Sequence, residues 1–351
     1  MRLIRHHTEV PVEARGAVVA LGNFDGVHRG HQAVIAEAAR IARGLGTSFG
    51  VVTFEPHPRQ YFQPDQPPFA LTPLRIKLRM LEATGCDYVF LLSFNRALAG
   101  MSAEAFATEV LGEGLAPAHV VIGYDFLFGK GRKGDAAVLA DFGRMHGFAV
   151  TSVEPASEAG GEVFSSTRIR EHLKAGRPDL AARLLGRPFE ISGHVRHGRK
   201  QGRELGFPTA NIQPGPYLEP AHGIYAVKAG IDHGMGTAWE DGVASLGVRP
   251  TVESGGEPLL EVHLFHTKRD LYGCILRVAF LDFIRPEYKF ASLDALVKQM
   301  KSDCKWAKRK IRAYKGPAPG TLPPPLKLPE SHFHRPDVYE RALRPRHSGT
   351  S

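Results

Sequence analysis

Cysteine is scarce in this chain: Cys86, Cys274 and Cys304 are three in 351 residues, far apart and in no metal-ligand spacing. That excludes a disulfide framework and a zinc ribbon, and makes reduced thiols in a cytoplasmic protein the expectation. No apolar run approaches the roughly 18 residues a membrane helix needs. Residues 1–15 carry Glu9 and Glu13 and no apolar stretch, so no signal peptide is expected. Internal repeats are absent, as is the G-x-x-x-x-G-K-[ST] phosphate loop. Hydrophobic residues at 43% and charged residues at 23% exclude a collagen-like or wholly disordered chain. The formal charge of +9 is concentrated at one end: residues 301–351 hold 12 Lys/Arg against 4 Asp/Glu. The rest is nearly neutral, which argues against a body-wide nucleic-acid footprint.

The length is comfortable for two domains. In the first half, Ala17–Leu21, Phe49–Phe54, Tyr88–Leu92, His119–Gly123 and Ala149–Val153 read as buried strands. Between them lie the amphipathic stretches Gln32–Leu45, Pro73–Ala83, Ala103–Val110 and Asp135–His146. This alternation predicts an α/β domain, a parallel sheet with helices on both faces. After Leu185 the pattern changes to strands at Phe189–His197, Gly223–Gly230, Trp239–Leu246, Leu259–Phe265 and Leu276–Ile284, then one helix at Leu293–Ala313. That predicts a small antiparallel β-barrel with a closing C-terminal helix. The expected division is 1–186, 187–315, and a Pro-rich, basic, flexible tail over 316–351.

Gly22-Asn23-Phe24-Asp25-Gly26-Val27-His28-Arg29-Gly30-His31 follows the first predicted strand and opens the first helix. In an open parallel sheet ligands bind there, at strand carboxyl ends over a helix N-terminus that favours anions. Gly22, Gly26 and Gly30 let backbone approach a phosphate closely, and His28 and His31 can point at one phosphoryl group. The bland alternative is a histidine cap with a solvated neighbour; a zinc pair lacks a third ligand nearby. Three further segments follow later strands: Thr53-Phe54-Glu55-Pro56-His57-Pro58, Gly123-Tyr124-Asp125-Phe126-Leu127-Phe128-Gly129, and Ser165-Ser166-Thr167-Arg168-Ile169-Arg170. Hydroxyls of the last can cap a helix while its arginines meet phosphates.

Gly129-Lys130-Gly131-Arg132-Lys133-Gly134 matches the G-x-G-x-x-G fingerprint, with Glu154 twenty residues on. A Rossmann-type NAD(P)-dependent oxidoreductase is therefore a competing reading. Against it, the variable positions are basic, and the match falls late in the domain; a phosphate-gripping loop fits better. A third reading is an RNA-associated basic β-barrel protein, although aromatic residues do not cluster with Lys/Arg into a stacking platform.

In the second half, Gly206-Phe207-Pro208-Thr209-Ala210-Asn211 places a hydroxyl and an amide oxygen two residues apart, on one face of an extended segment. That suits two neutral ligands to Mg²⁺; it equally suits a Pro-Thr turn with a self-satisfied Asn. Upstream, Gly198-Arg199-Lys200-Gln201-Gly202-Arg203 is a glycine-basic loop able to cover phosphates. Glu261 and His263 share the face opposite Leu260 and Val262, where a solvated strand face is the ordinary explanation.

The Gly-x-Phe-Asp-Gly-Val-His-x-Gly-His, Ser-Ser-Thr-x-Ile-Arg and Phe-Pro-Thr-Ala-Asn runs, in this order, resemble the bacterial bifunctional riboflavin kinase/FMN adenylyltransferase (FAD synthetase) family over roughly residues 15–313. The resemblance implies a nucleotidylyltransferase fold in the first module, moving AMP from ATP to FMN, and a barrel that phosphorylates riboflavin. It implies that His28 and His31 hold ATP phosphates and that Gly22, Phe24, Asp25, Gly26 and Asp125 lie at the nucleotide. Ser166, Thr167 and Arg170 would grip the triphosphate, and His57 would be a ligand contact. In the barrel it implies Gly198, Lys200, Gly206 and Pro208 as ATP/riboflavin contacts, Thr209 and Asn211 as Mg²⁺ ligands, and Glu261 as catalytic base, followed by the matching Asp270-Leu271-Tyr272-Gly273. Two departures stand out: Asp125 where some members have Asn, and Phe265-His266-Thr267-Lys268 in place of an Asp-Phe-like segment. The partners implied are riboflavin, FMN and ATP, without nucleic acid or membrane, and self-association is left open.

Overall fold

The computed structural model describes residues 1–157, 161–198, 202, 205–233, 237–248, 257–267, 269–320 and 322, and the backbone of Phe333–His334. It divides into two compact units: Met1–Gln66 with Leu74–Phe164 and Pro324–Ser351, and Pro67–Pro73 with Ser165–Pro323.

In the first unit, β1 (Arg2–Ile4), β2 (Val18–Leu21), β3 (Phe49–Glu55), β4 (Tyr88–Ser93), β5 (His119–Gly123) and β6 (Ala149–Val153) pair in parallel in the order β1-β4-β3-β2-β5-β6. The runs of Val, Ile and Leu in β2 to β5 are buried throughout because helices cover both faces. These helices are α1 (Arg29–Leu45), α2 (Pro58–Phe62), α3 (Leu74–Glu82), α4 (Arg96–Gly100), α5 (Ala103–Ala105) and α6 (Ala136–His146). The predicted helix Ala103–Val110 differs: after α5 the chain winds as a π-helix over Phe106–Leu115. Gly112 and Gly114 permit close approach there, since a Cβ on Gly114 would lie 2.9 Å from the His7 carbonyl.

Chain order runs outward from β2 to β3 and β4 on one side, and through β5 to β6 on the other. The topological switch point therefore lies between the carboxyl ends of β2 and β5, where open α/β sheets bind ligands. The Gly22–His31 run leaves β2 at that point.

The second unit is a closed antiparallel barrel of β7 (Phe189–Arg196), β8 (Ala210–Ile212), β9 (Gly223–Ile231), β10 (Glu240–Val248), β11 (Pro258–Leu264) and β12 (Ile275–Arg285), ordered β10-β11-β8-β7-β12-β9. Two register shifts bend β12 against β9. The closing helix α9 (Leu293–Ala313) buries Ala307 and Ile311 against Ala226 and Leu281. Helices α7 (Ser166–Lys174) and α8 (Pro178–Leu185) belong to the same unit: Leu173, Ala181, Ala182 and Leu185 are buried, and Gly176 sits against the Phe283 ring. Within 316–351, Gly320 docks on the barrel, and Phe333–His334 forms β13, antiparallel to β6; most of that segment lies outside the described residues.

Candidate active sites

After β2 the chain must turn into α1 within a few residues, and it does so through backbone that L-residues seldom adopt. Phe24 and Val27 have φ of 51° and 41°, and Gly26 has 90°. Both strained residues are fully buried, so packing holds the turn in place. A Cβ on Gly22 would meet the Phe24 ring at 3.3 Å, which explains the glycine.

His28 is the N-cap of α1, its Nδ1 accepting the His31 N–H at 3.3 Å. The two imidazoles stack with centroids 3.5 Å apart and planes at 21°, while the Phe24 ring packs edge-on to His31 at 5.2 Å. A side chain at position 30 would press on the His28 ring at 3.2 Å and on the Phe164 carbonyl at 3.1 Å. The glycine between the histidines is thus what lets them pair. Gln32 fixes the turn from below, donating to the Val27 carbonyl at 2.8 Å.

Lys77 completes this scaffold and was invisible as a site residue in the sequence. Its Nζ donates to the Phe54 carbonyl at 3.2 Å and the Thr53 hydroxyl at 3.4 Å, with Glu55 at 3.8 Å. The Thr53 hydroxyl in turn donates to the Asn23 carbonyl at 3.1 Å. Lys77 is 3% exposed; burial lowers its pKa, opposed by the Glu55 and Asp25 carboxylates. The available signal was a charge within the buried stripe Ile76, Lys77, Met80, Leu81.

His57 caps α2, its Nδ1 accepting from the Arg59 N–H at 3.0 Å. Asp125 is exposed on the loop after β5, beside the switch point. Sequence reasoning also missed an aromatic group at these strand ends. Phe94 contacts Phe54, Tyr61 and Phe62 at centroid distances of 6.0, 5.4 and 5.8 Å, and Phe62 is 64% exposed. Its members are scattered along the chain and meet only through the sheet.

The G-x-G-x-x-G match does not build a dinucleotide turn. Phe128 and Gly134 form an antiparallel bridge that closes a hairpin, with positive φ at Gly129, Gly131 and Arg132. α6 starts separately, capped by Asp135. The glycines serve a hairpin, which removes the structural basis of the oxidoreductase reading.

Ser166, Thr167 and Arg170 lie on α7, in the barrel's unit rather than with the two histidines. Ser165 caps that helix, accepting from the Arg168 N–H at 3.2 Å. Arg170 is held by the Phe69 carbonyl at 3.0 Å, its guanidinium over the Phe69 ring.

In the barrel, register places Glu261 directly between Asn211 on β8 and Ser245 on β10, so the three side chains share the outer face. Asn211 is nevertheless buried because Gly198 lies over its amide: a Cβ there would sit 2.5 Å from the Asn211 nitrogen. Thr209 lies one residue before β8, and a Cβ placed on Gly202 would be 3.4 Å from its hydroxyl. Gly206 turns the chain with φ 83°, and the Pro208 carbonyl pairs with His263 Nδ1 at 2.9 Å, which fixes the proton on that nitrogen. The Tyr272 ring packs tilted against His197, centroids 3.8 Å apart and planes at 32°, beside Gly198. Glu287 was missed by the sequence: it accepts from the Ser245 hydroxyl at 3.1 Å, which brings a second carboxylate to this face. Lys200 lies outside the described residues. Among the described residues no three His, Cys, Asp or Glu side chains group to hold a metal.

Residues 10–168 match the FAD synthetase family model, and residues 185–311 match that of riboflavin kinase. The bifunctional riboflavin kinase/FMN adenylyltransferase of Pseudomonas fluorescens is 44% identical over 86% of this chain and 96% of its own. The chain belongs to the bifunctional riboflavin kinase/FMN adenylyltransferase family. The Escherichia coli (strain K12) member is 42% identical over 86% of this chain and 96% of its own. A crystal structure described as a macrolide-efflux protein from Streptococcus pneumoniae has TM-score 0.77 and 32% identity, covering 88% of this chain and 98% of that one. No helix among the described residues is long and apolar enough to cross a membrane. Membership in this family gives the oxidoreductase and RNA-associated readings no support.

Proposed function

We infer that this protein phosphorylates riboflavin to FMN with ATP, then adenylylates FMN with a second ATP to give FAD and pyrophosphate. The observation that carries the reading is that an imidazole pair and a carboxylate facing a side-chain amide stand on separate compact units, while two family models, FAD synthetase and riboflavin kinase, match the chain in turn. The functional division we assign is 1–186 for adenylyl transfer and 187–315 for phosphorylation.

The two reactions need different help. In adenylyl transfer the nucleophile is the FMN phosphate, already anionic at neutral pH, so no general base is required. Charge builds on the α-phosphate, and His28 and His31 donate hydrogen bonds to it over the α1 N-terminus. Ser166, Thr167 and Arg170 supply hydroxyl and guanidinium contacts to the triphosphate. Gly22, Phe24, Asp25 and Gly26 shape the nucleotide pocket, with Asp125 and His57 at its rim. The exposed Phe62 and its aromatic neighbours offer a planar ring a stacking surface.

In phosphorylation the nucleophile is a neutral ribityl hydroxyl, and Glu261 accepts its proton as it attacks the γ-phosphate. Gly198, Lys200, Gly206 and Pro208 border the ATP and riboflavin positions. The donor set fits Mg²⁺: Thr209 and Asn211 give two hard neutral oxygens, Asn211 held in place by Gly198, leaving further positions to phosphate and water. Bound there, Mg²⁺ supplies charge balance at the β- and γ-phosphates. We place the protein in the cytoplasm, where the free thiols Cys86, Cys274 and Cys304 stay reduced. The direct test is incubation with riboflavin, ATP and Mg²⁺ followed by flavin chromatography: FMN then FAD should appear, and unaltered riboflavin from folded protein refutes the reading.

A further inference from the structure

Strand β6 ends the parallel part of its sheet, yet its outer edge is not bare. β13 runs antiparallel along it, Phe333 opposite Val153 and His334 opposite Ser152. Alternation fixes which backbone groups face that edge. The Val153 carbonyl accepts from Tyr124 N–H at 3.0 Å, and Ala149 N–H donates to the Ala118 carbonyl at 3.1 Å, so both residues turn toward β5. Val150 and Ser152 therefore turn their N–H and C=O groups outward, and Ser152 faces His334. Ser152 is buried, 7% exposed. An unpaired donor and acceptor in such a place are costly, and an open edge is a template for a foreign strand.

The same C-terminal segment is also engaged nearer its start. Gly320 N–H donates to the Glu190 carboxylate at 2.7 Å, a group itself ion-paired to Arg277 at 2.6 Å and nearly buried. Gly320 packs against Trp239, whose ring Arg277 covers. Neither anchor lies within the part matched by the riboflavin kinase model, which ends at residue 311.

We propose that the outer edge of β6 is an interaction surface whose occupant is this chain's own C-terminal extension, which adds a strand through Phe333–His334. Recognition is by main-chain hydrogen bonding, as in strand addition generally. The test compares amide exchange at Ser152 in three proteins: the full chain, a chain ending at Leu322, and full-length His334→Pro, which lacks the N–H facing Ser152. Ending at Leu322 keeps the Gly320 anchor. Both variants should exchange at Ser152 roughly ten-fold faster or more, with α1 and barrel amides unchanged. Because His334→Pro keeps the whole chain, it stands as a test even if truncation impairs folding. Equal exchange at Ser152 in all folded forms would overturn the proposal. So would protection in the full chain that vanishes on dilution, since the strand would then come from a second copy.

Discussion

A methyl group at Gly30 would crowd its neighbours: the His28 ring and the Phe164 carbonyl would both lie about 3 Å from it. Gly30→Ala should displace the His28 ring at a cost of about 1–3 kcal/mol. FAD formation from FMN should fall while FMN formation from riboflavin persists, as flavin chromatography would show. Lys77 gives a pH signature. Its pKa in the folded protein lies below the ordinary 10.5, so the unfolded chain binds more protons between the two values. Stability should therefore rise with pH across that window, and Lys77→Met should flatten the rise in denaturant midpoints; identical slopes would contradict the burial. Cys86 is pushed up to about 11 by burial, so a thiol reagent at pH 8 should spare it until the protein is denatured. At this scale the sequence disclosed residues whose chemistry is local. His28 and His31 stand three apart at a strand-to-helix turn. Lys77 was hidden because its partners come from β3, and Glu287 because its link to Ser245 spans 42 residues.

Elements were legible where burial wrote a pattern into the chain. The runs of β3 to β6 and the 21-residue α9 declare themselves by composition and periodicity. β1 and β8, three residues each, are too short to do so. Yet β8 carries part of the candidate barrel site, since it brings Asn211 opposite Glu261. Register, which no single segment encodes, is what assembles that face. Its tightest point is Gly198 over the Asn211 amide. Gly198→Ala should push the amide aside and abolish riboflavin phosphorylation, leaving adenylyl transfer to supplied FMN intact. Retained kinase activity would show that this contact does not position Asn211.

Across the whole molecule, the proposed function allots two chemistries to two compact units, an anionic acceptor to imidazoles and a neutral alcohol to a carboxylate. Chain order made the two architectures readable, because strand–helix alternation stops where consecutive strands begin. α7 and α8 precede the sequence boundary at 186 yet cluster with the barrel, since helices covering a barrel look like helices covering a sheet until their neighbours are known. Removing one oxyanion-type donor typically costs about 3–4 kcal/mol, and losing a positioned base costs on the order of 10²–10⁴ in rate. The most direct measurement follows flavins by chromatography in His31→Ala and Glu261→Ala, each supplied with riboflavin or FMN, ATP and Mg²⁺. Two separate sites require His31→Ala to accumulate FMN without FAD, and Glu261→Ala to convert supplied FMN to FAD while leaving riboflavin untouched. A single substitution that silences both conversions in a folded protein contradicts them.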